Sequence, residues 1–308
     1  MKNIFNTIII TIVALNYLNA QSSLTASQTK NASNINVNTA NYFAVSSDNW
    51  NNAATWSTIY GGMGGDGVPG VSDNVVICPG YNVTVNANAA CNNLTIESGA
   101  TLSCSNFDLS VNGATNVFGT FADNNDKGTD TFIGAVYIYP GGVWNTSPVT
   151  TYKGLMFRNG ITHNGTSFQA GTAIFIINDQ SLAGNSPMSF NNNVTISGNI
   201  TLSNQNTSSI TINGALDGLA GNTWKNCSYS SLYYSNVAAP MAHGTFDVIA
   251  KPNTVYYSLN GEQGIKATAY YNIVCTAGKT TISTSPIIMQ ANEENKIQPT
   301  GKLLSQQN

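Results

Sequence analysis

Charge is scarce in this chain of 308 residues: Asp, Glu, Lys and Arg make up 8% of it, the formal net charge is -3, and Arg158 is the only arginine. Binding nucleic acid or an acidic polymer takes clustered Lys and Arg, so that class of partner is excluded. Histidine is nearly absent, with His163 and His243 far apart, and no Cys-x-x-Cys pair occurs. The usual frames of a zinc site are therefore missing. The five cysteines, Cys78, Cys91, Cys104, Cys227 and Cys275, are odd in number and cannot all pair within one chain. Cys78, Cys91 and Cys104 recur at even steps, which predicts one structural position visited on successive strands. With no base beside them in sequence, they read as small buried residues or one disulfide rather than nucleophiles. No Walker motif or Ser-nucleophile elbow is present, which excludes nucleotide chemistry and the common hydrolase signature.

Long apolar runs are missing too, with one exception at the start. Lys2 is followed by Ile8-Ile9-Ile10-Thr11-Ile12-Val13-Ala14-Leu15, and the run closes on Leu18-Asn19-Ala20-Gln21. A bilayer span needs roughly 20 apolar residues, so this run is too short. A basic start, a short apolar centre and a small residue at Ala20 are the marks of a cleavable signal peptide over residues 1–20. The expectation is a protein secreted or held at the outer cell surface, with no transmembrane segment after cleavage. Residues 21–45, rich in Ser, Thr, Asn and Gln, read as a polar lead-in. Residues 46–308 read as a β-helix-like domain whose character changes at about residue 225, where tyrosines crowd.

What the chain has in abundance is a short strand motif. Asn74-Val75-Val76-Ile77, Asn82-Val83-Thr84-Val85, Asn93-Leu94-Thr95-Ile96, Asn193-Val194-Thr195-Ile196 and Ser209-Ile210-Thr211-Ile212 all alternate apolar and polar residues, lead with Asn or Ser, and run into turns. Period two with β-branched residues marks strands buried on one face. Helical periodicity is almost absent after the signal peptide. Stacked in a parallel β-helix, such strands would align Val, Ile and Leu inward and Thr outward, with Asn at corners. The fold class expected is all-β, a right-handed parallel β-helix (solenoid). An antiparallel β-sandwich would use similar strands and stands as the alternative.

Ala54-Thr55-Trp56-Ser57, then Val68-Pro69-Gly70-Val71-Ser72-Asp73-Asn74-Val75-Val76-Ile77, then Asn82-Val83-Thr84-Val85 and Ala90-Cys91-Asn92-Asn93-Leu94-Thr95-Ile96 make up a distinctive opening. It resembles the secreted right-handed β-helix module of adhesin-like surface proteins from gliding bacteria that use type IX secretion. The likeness covers about residues 50 to 120, with Tyr270-Tyr271-Asn272-Ile273-Val274 similar to later repeats of such proteins. It implies surface display, with the Trp-Ser and Pro-x-x-x-Asp-Asn-Val entry capping the first coils.

Three features carry possible chemistry. Asp123, Asp126 and Asp130 place carboxylates in one short polar segment with Gly128 for a sharp turn. Calcium takes six to eight oxygens, so this is the calcium candidate, although its spacing departs from the EF-hand and a solvated connecting loop is the favoured reading. Gly61-Gly62-Met63-Gly64-Gly65-Asp66-Gly67 is a single copy of a glycine-rich pattern and reads as a loop. Tyr233, Tyr234, Tyr256 and Tyr257 are the carbohydrate-binding candidates, since an exposed Tyr can stack on a sugar, and each adjacent pair must point to opposite strand faces. No catalytic residue is singled out and no cofactor is required. The function expected is a structural or adhesive protein without catalysis, whose partner is an extracellular glycan or a cell-surface or matrix component. The competing readings are a carbohydrate-active enzyme, a polysaccharide lyase or hydrolase drawing on Glu97, Asp108, Asp179 or Asp247, and a carbohydrate-binding protein on the same β-helix scaffold.

Overall fold

A computed structural model describes residues 39–123, 128–146 and 154–275, with the backbone of the strands Thr280–Ile282, Ile288–Met289 and Leu303–Leu304. The segment read as a signal peptide, most of the segment read as a polar lead-in, and Asp126 of the calcium candidate lie outside the described residues. The first described strand, Asn41–Ala44, falls inside the segment read as lead-in.

Three parallel sheets of 11, 10 and 7 strands wind into a β-solenoid of about nine turns. A coil lays one short strand on each face in order, as in Leu94–Ile96 on the first face, Thr101–Cys104 on the second and Leu109–Val111 on the third. Each alternates buried and half-buried residues, which is what the apolar-polar-apolar triplets dictate. All described strand pairs are parallel except Asn41–Ala44 against Trp56–Ser57. Parallel register between coils excludes the antiparallel sandwich.

Coil length explains the asparagines and corrects the cysteine spacing. The Ala114 N–H donates to Asn93 Oδ1, 21 residues back, and the Ala215 N–H to Asn193 Oδ1, 22 residues back. An Asn just ahead of a strand thus pins the same point of the next coil. The cysteine step is too short for that period, so the three residues fall on different faces. Cys78 follows Asn74–Ile77 on the first, Cys91 closes Ala89–Cys91 on the third, and Cys104 closes Thr101–Cys104 on the second. None of the five cysteines is in a disulfide, and burial pushes Cys78 up to about 11 and Cys91 further.

The core is a set of ladders running along the axis. On the second face Val83, Leu102, Phe121, Trp144 and Phe168 are register partners in turn. On the third, Val111, Phe132, Phe157, Phe175 and Ile196 do the same. Phe121 stacks on Trp144 at 4.3 Å and Phe132 on Phe157 at 5.5 Å. Each buried aromatic side chain contributes roughly 1.5–3 kcal/mol through area removed from water, and each ring pair about 0.5–1.5 kcal/mol more. Later coils turn polar inside: the Asn204 amide donates to Asn226 Oδ1 at 3.2 Å, the Asn226 amide to Asn253 Oδ1 at 3.4 Å, and Trp224 Nε1 to Asn226 Oδ1 at 3.0 Å.

The opening motif closes the first coils. Trp50 and Trp56 are buried edge to face at 5.0 Å, with Trp56 Nε1 donating to the Trp50 carbonyl at 2.7 Å. Asp73 accepts from the Gly70 N–H at 2.8 Å and the Ala40 N–H at 3.0 Å, so one carboxylate ties the entry loop to the first strand. Asn74 donates to Asn41 Oδ1 and accepts from the Asn92 and Asn93 amides, starting the asparagine ladder.

Candidate functional site

The solvent face of the second sheet is almost uncharged. Its central outward row runs Thr84, Ser103, Ala122, Asn145 and Gln169, continues through Ser189 and Thr211 to Tyr233 and Tyr256, and ends among the described residues on Val274. Tyr233 and Tyr256 are register partners whose rings lie 4.2 Å apart and 3° from parallel. Each covers one ring face of the other, and both are half-buried. Partial burial and the neighbouring Tyr256 raise the Tyr233 phenol above its ordinary range.

Tyr234 and Tyr257 point the opposite way and are fully buried. Tyr234 donates to the Ala238 carbonyl at 2.9 Å, and the Tyr257 and Tyr270 hydroxyls are 2.7 Å apart. Their role is internal: each satisfies a phenol inside the core, and burial pushes Tyr234 up to about 12. Of the four tyrosine candidates the structure therefore brings two together on the surface and two in the interior.

The acidic candidates are placed on strands rather than on one open loop. Asp123 closes Thr120–Asp123 and Asp130 opens Asp130–Phe132; both are buried, and Asp130 Oδ1 accepts the Leu109 N–H at 3.0 Å. Among the described residues no three His, Cys, Asp or Glu side chains gather as a metal would require. Of the other acids, Asp108, Asp179 and Asp247 lie on separate coils with partners of their own, and Glu97, at another corner of the coil of Asp108, accepts from the Tyr60 hydroxyl. Asp108 accepts the Thr129 N–H at 2.6 Å, Asp179 the Thr201 N–H at 2.7 Å, and Asp247 faces Lys225 at 4.0 Å. The glycine-rich loop is held by Asp66, whose carboxylate accepts from the Thr58 N–H at 2.7 Å, Thr58 Oγ1 at 2.9 Å and Ser57 Oγ at 3.2 Å. Those donors, the Thr58 N–H foremost, hold the carboxyl below its ordinary value.

Two arrangements escape a reading of the sequence. His243 Nδ1 lies 2.8 Å from Asp217 Oδ2 at an exposed point of the third face, 26 residues apart. Partial burial pushes the Asp217 carboxyl up, but hydrogen bonds from His243 and the Gly218 N–H outweigh it and leave the carboxyl lowered. Their joining depends on the irregular chain before Thr245–Asp247, where the Met241 N–H bonds back to the Leu216 carbonyl. The second is a corner row. Glu97, Phe118 and Tyr139 each follow a first-face strand, and their N–H groups donate to Ile77, Ile96 and Val117, the last residues of the strands one coil earlier. The signal was present as three-residue strands ending in Ile or Val and each followed by a large residue, but it is visible only once the coil length is known. No family model matches the chain, and no curated protein or solved structure matches it either.

Proposed function

We propose that this chain is a secreted or cell-surface structural and adhesive protein without catalytic activity, and that its solenoid is a rigid scaffold for contacts with extracellular glycans or matrix. The observation that carries this reading is the outward row of the second face: uncharged side chains, most of them bearing a hydroxyl or an amide, in one register over successive coils, with a stacked tyrosine pair near its end. Such a row offers many weak hydrogen bonds at a repeat of about 4.8 Å, geometry suited to an extended polymer rather than to one reacting bond. The low charge supports a neutral partner, and the signal-peptide pattern supports export. The Trp-Ser and Pro-x-x-x-Asp-Asn-Val entry supports placing the chain with adhesin-like β-helix proteins of gliding, type IX-secreting bacteria. Calcium at Asp123, Asp126 and Asp130 has a lesser place here, as a loop stabiliser.

The test is a binding screen of the exported chain, residues 21–308, against immobilised glycans, matrix proteins and whole cells. Binding to at least one of these surfaces is expected, with little change from low to high salt because few charges are involved. Absence of binding to all three would overturn the proposal.

A further inference from the structure

The corner row between the first and second faces carries a combination of groups found nowhere else among the described residues. Phe118 stacks on Tyr139 at 4.2 Å with the rings 9° from parallel. Tyr139 therefore covers one face of Phe118, and the other looks along the axis toward the coil of Glu97. Phe118 nevertheless stays 37% exposed, and Tyr137, 6.3 Å from Tyr139, is 38% exposed. On the far side of Glu97 stands Tyr60, 58% exposed and braced edge-on by Phe43 at 5.4 Å. The Tyr60 hydroxyl donates to Glu97 Oε2 at 3.2 Å, which fixes a carboxylate between two aromatic side chains. Asn116, one register step from Tyr137, accepts the Tyr139 hydroxyl on Oδ1 at 3.4 Å and keeps both amide N–H donors for another partner.

We infer that this corner, formed by Tyr60, Glu97, Asn116, Phe118, Tyr137 and Tyr139, is a saccharide-binding site for a neutral hexopyranose unit of a glycan chain. The inference rests on the adhesive reading above and gives it a site. A pyranose has one apolar C–H face and a rim of hydroxyls that both donate and accept. Phe118 and Tyr137 supply the apolar contact, Glu97 a charged acceptor for adjacent hydroxyls, and Asn116 the complementary donor. The Glu97 charge selects against uronates and other acidic sugars through like-charge repulsion. Tyr60 is a positioning residue that holds the carboxylate toward the ring. The Tyr233–Tyr256 pair is stacked at the same 4.2 Å, and this corner differs in setting its stacked pair beside the Glu97 carboxylate and the Asn116 amide.

The test uses the full exported chain and an array of neutral gluco-, manno- and galacto-oligosaccharides, with the corresponding uronate oligomers and choline as comparison probes. Binding to one or more neutral oligosaccharides is expected, weakened about tenfold or more in Phe118→Ala and in Glu97→Gln, and within about twofold of the parent in Leu219→Ala, a change at an exposed residue outside both surfaces. Circular dichroism and melting temperature report whether each variant keeps the fold. Glycan binding unchanged in Phe118→Ala and Glu97→Gln would overturn the site and leave the adhesive reading standing. Binding of choline or uronates in place of neutral sugars would overturn the ligand class. If the chain binds matrix protein or cells but no glycan, the inference fails alone; if it binds nothing, both fail together.

Discussion

His163 sets the clearest residue-scale consequence of this fold. It is the inward end of Ile161–His163, between Ile138 and Gly184 in the first-face ladder, and fully buried. Nδ1 accepts the Gly165 N–H at 3.3 Å, so the neutral ring carries its proton on Nε2, which has no hydrogen-bond partner among the described residues. Protonation would charge Nδ1, break that bond and place a cation in the core. Burial accordingly lowers the pKa from 6.5 to about 4. Between those values the unfolded chain binds more protons than the folded one, so stability rises with pH. The His163 contribution is complete above about pH 6.5 and is lost as the pH falls toward 4, at up to roughly 3 kcal/mol given about 1.36 kcal/mol per unit. Urea midpoints measured across this window should drop more steeply for the parent than for His163→Met. Equal slopes would contradict a buried neutral imidazole.

Among the elements, the asparagine ladder of the later coils is the one most sensitive to a single change. Asn226 Oδ1 accepts from both the Asn204 amide and Trp224 Nε1 in the interior. Asn226→Leu removes that acceptor and leaves two buried donors, each costing about 1–3 kcal/mol, for a loss on the order of 2–5 kcal/mol in chemical denaturation. Asn213→Ala, which removes an exposed amide bond to Asn191 at 3.3 Å, should cost less than about 1 kcal/mol. Similar losses in the two variants would mean that the ladder is not a structural element. The same contrast marks what could be read from sequence. Strands such as Leu94–Ile96 and Ile210–Ile212 were legible because period two and β-branched residues are local properties. Parallel stacking followed from their repetition. Coil length was not legible, since loops of unequal length separate the strands: Thr115 pairs with Val136, but Val136 pairs with Ile161 after a longer excursion. Everything that depends on coil length was hidden with it, including the separate faces of Cys78, Cys91 and Cys104 and the alignment of Glu97, Phe118 and Tyr139. The tyrosine pairs show the middle case, where alternation told that one of each pair faces out but not that Tyr233 and Tyr256 would stack on one another.

At the scale of the whole molecule, each coil buries its inner side chains against its neighbours, and stiffness comes from that stacking. Continuous aromatic ladders on two faces give way to a hydrogen-bonded interior in later coils, so the scaffold is held by packing at one part and by amide networks at another. Its outer faces carry few charges, and the acids that face solvent are tied to backbone or side-chain partners on separate coils. In the function proposed above, such a scaffold would hold a polymer by repeated weak contacts and return it unchanged. The most direct measurement is chromatography of neutral polysaccharides over a column of immobilised exported chain, with the length of the eluted polymer determined by mass spectrometry. Retarded elution with unchanged chain length is the expected result. Shortened products, unsaturated chain ends, or elution of every polysaccharide at the void volume would contradict a non-catalytic, glycan-adhesive solenoid.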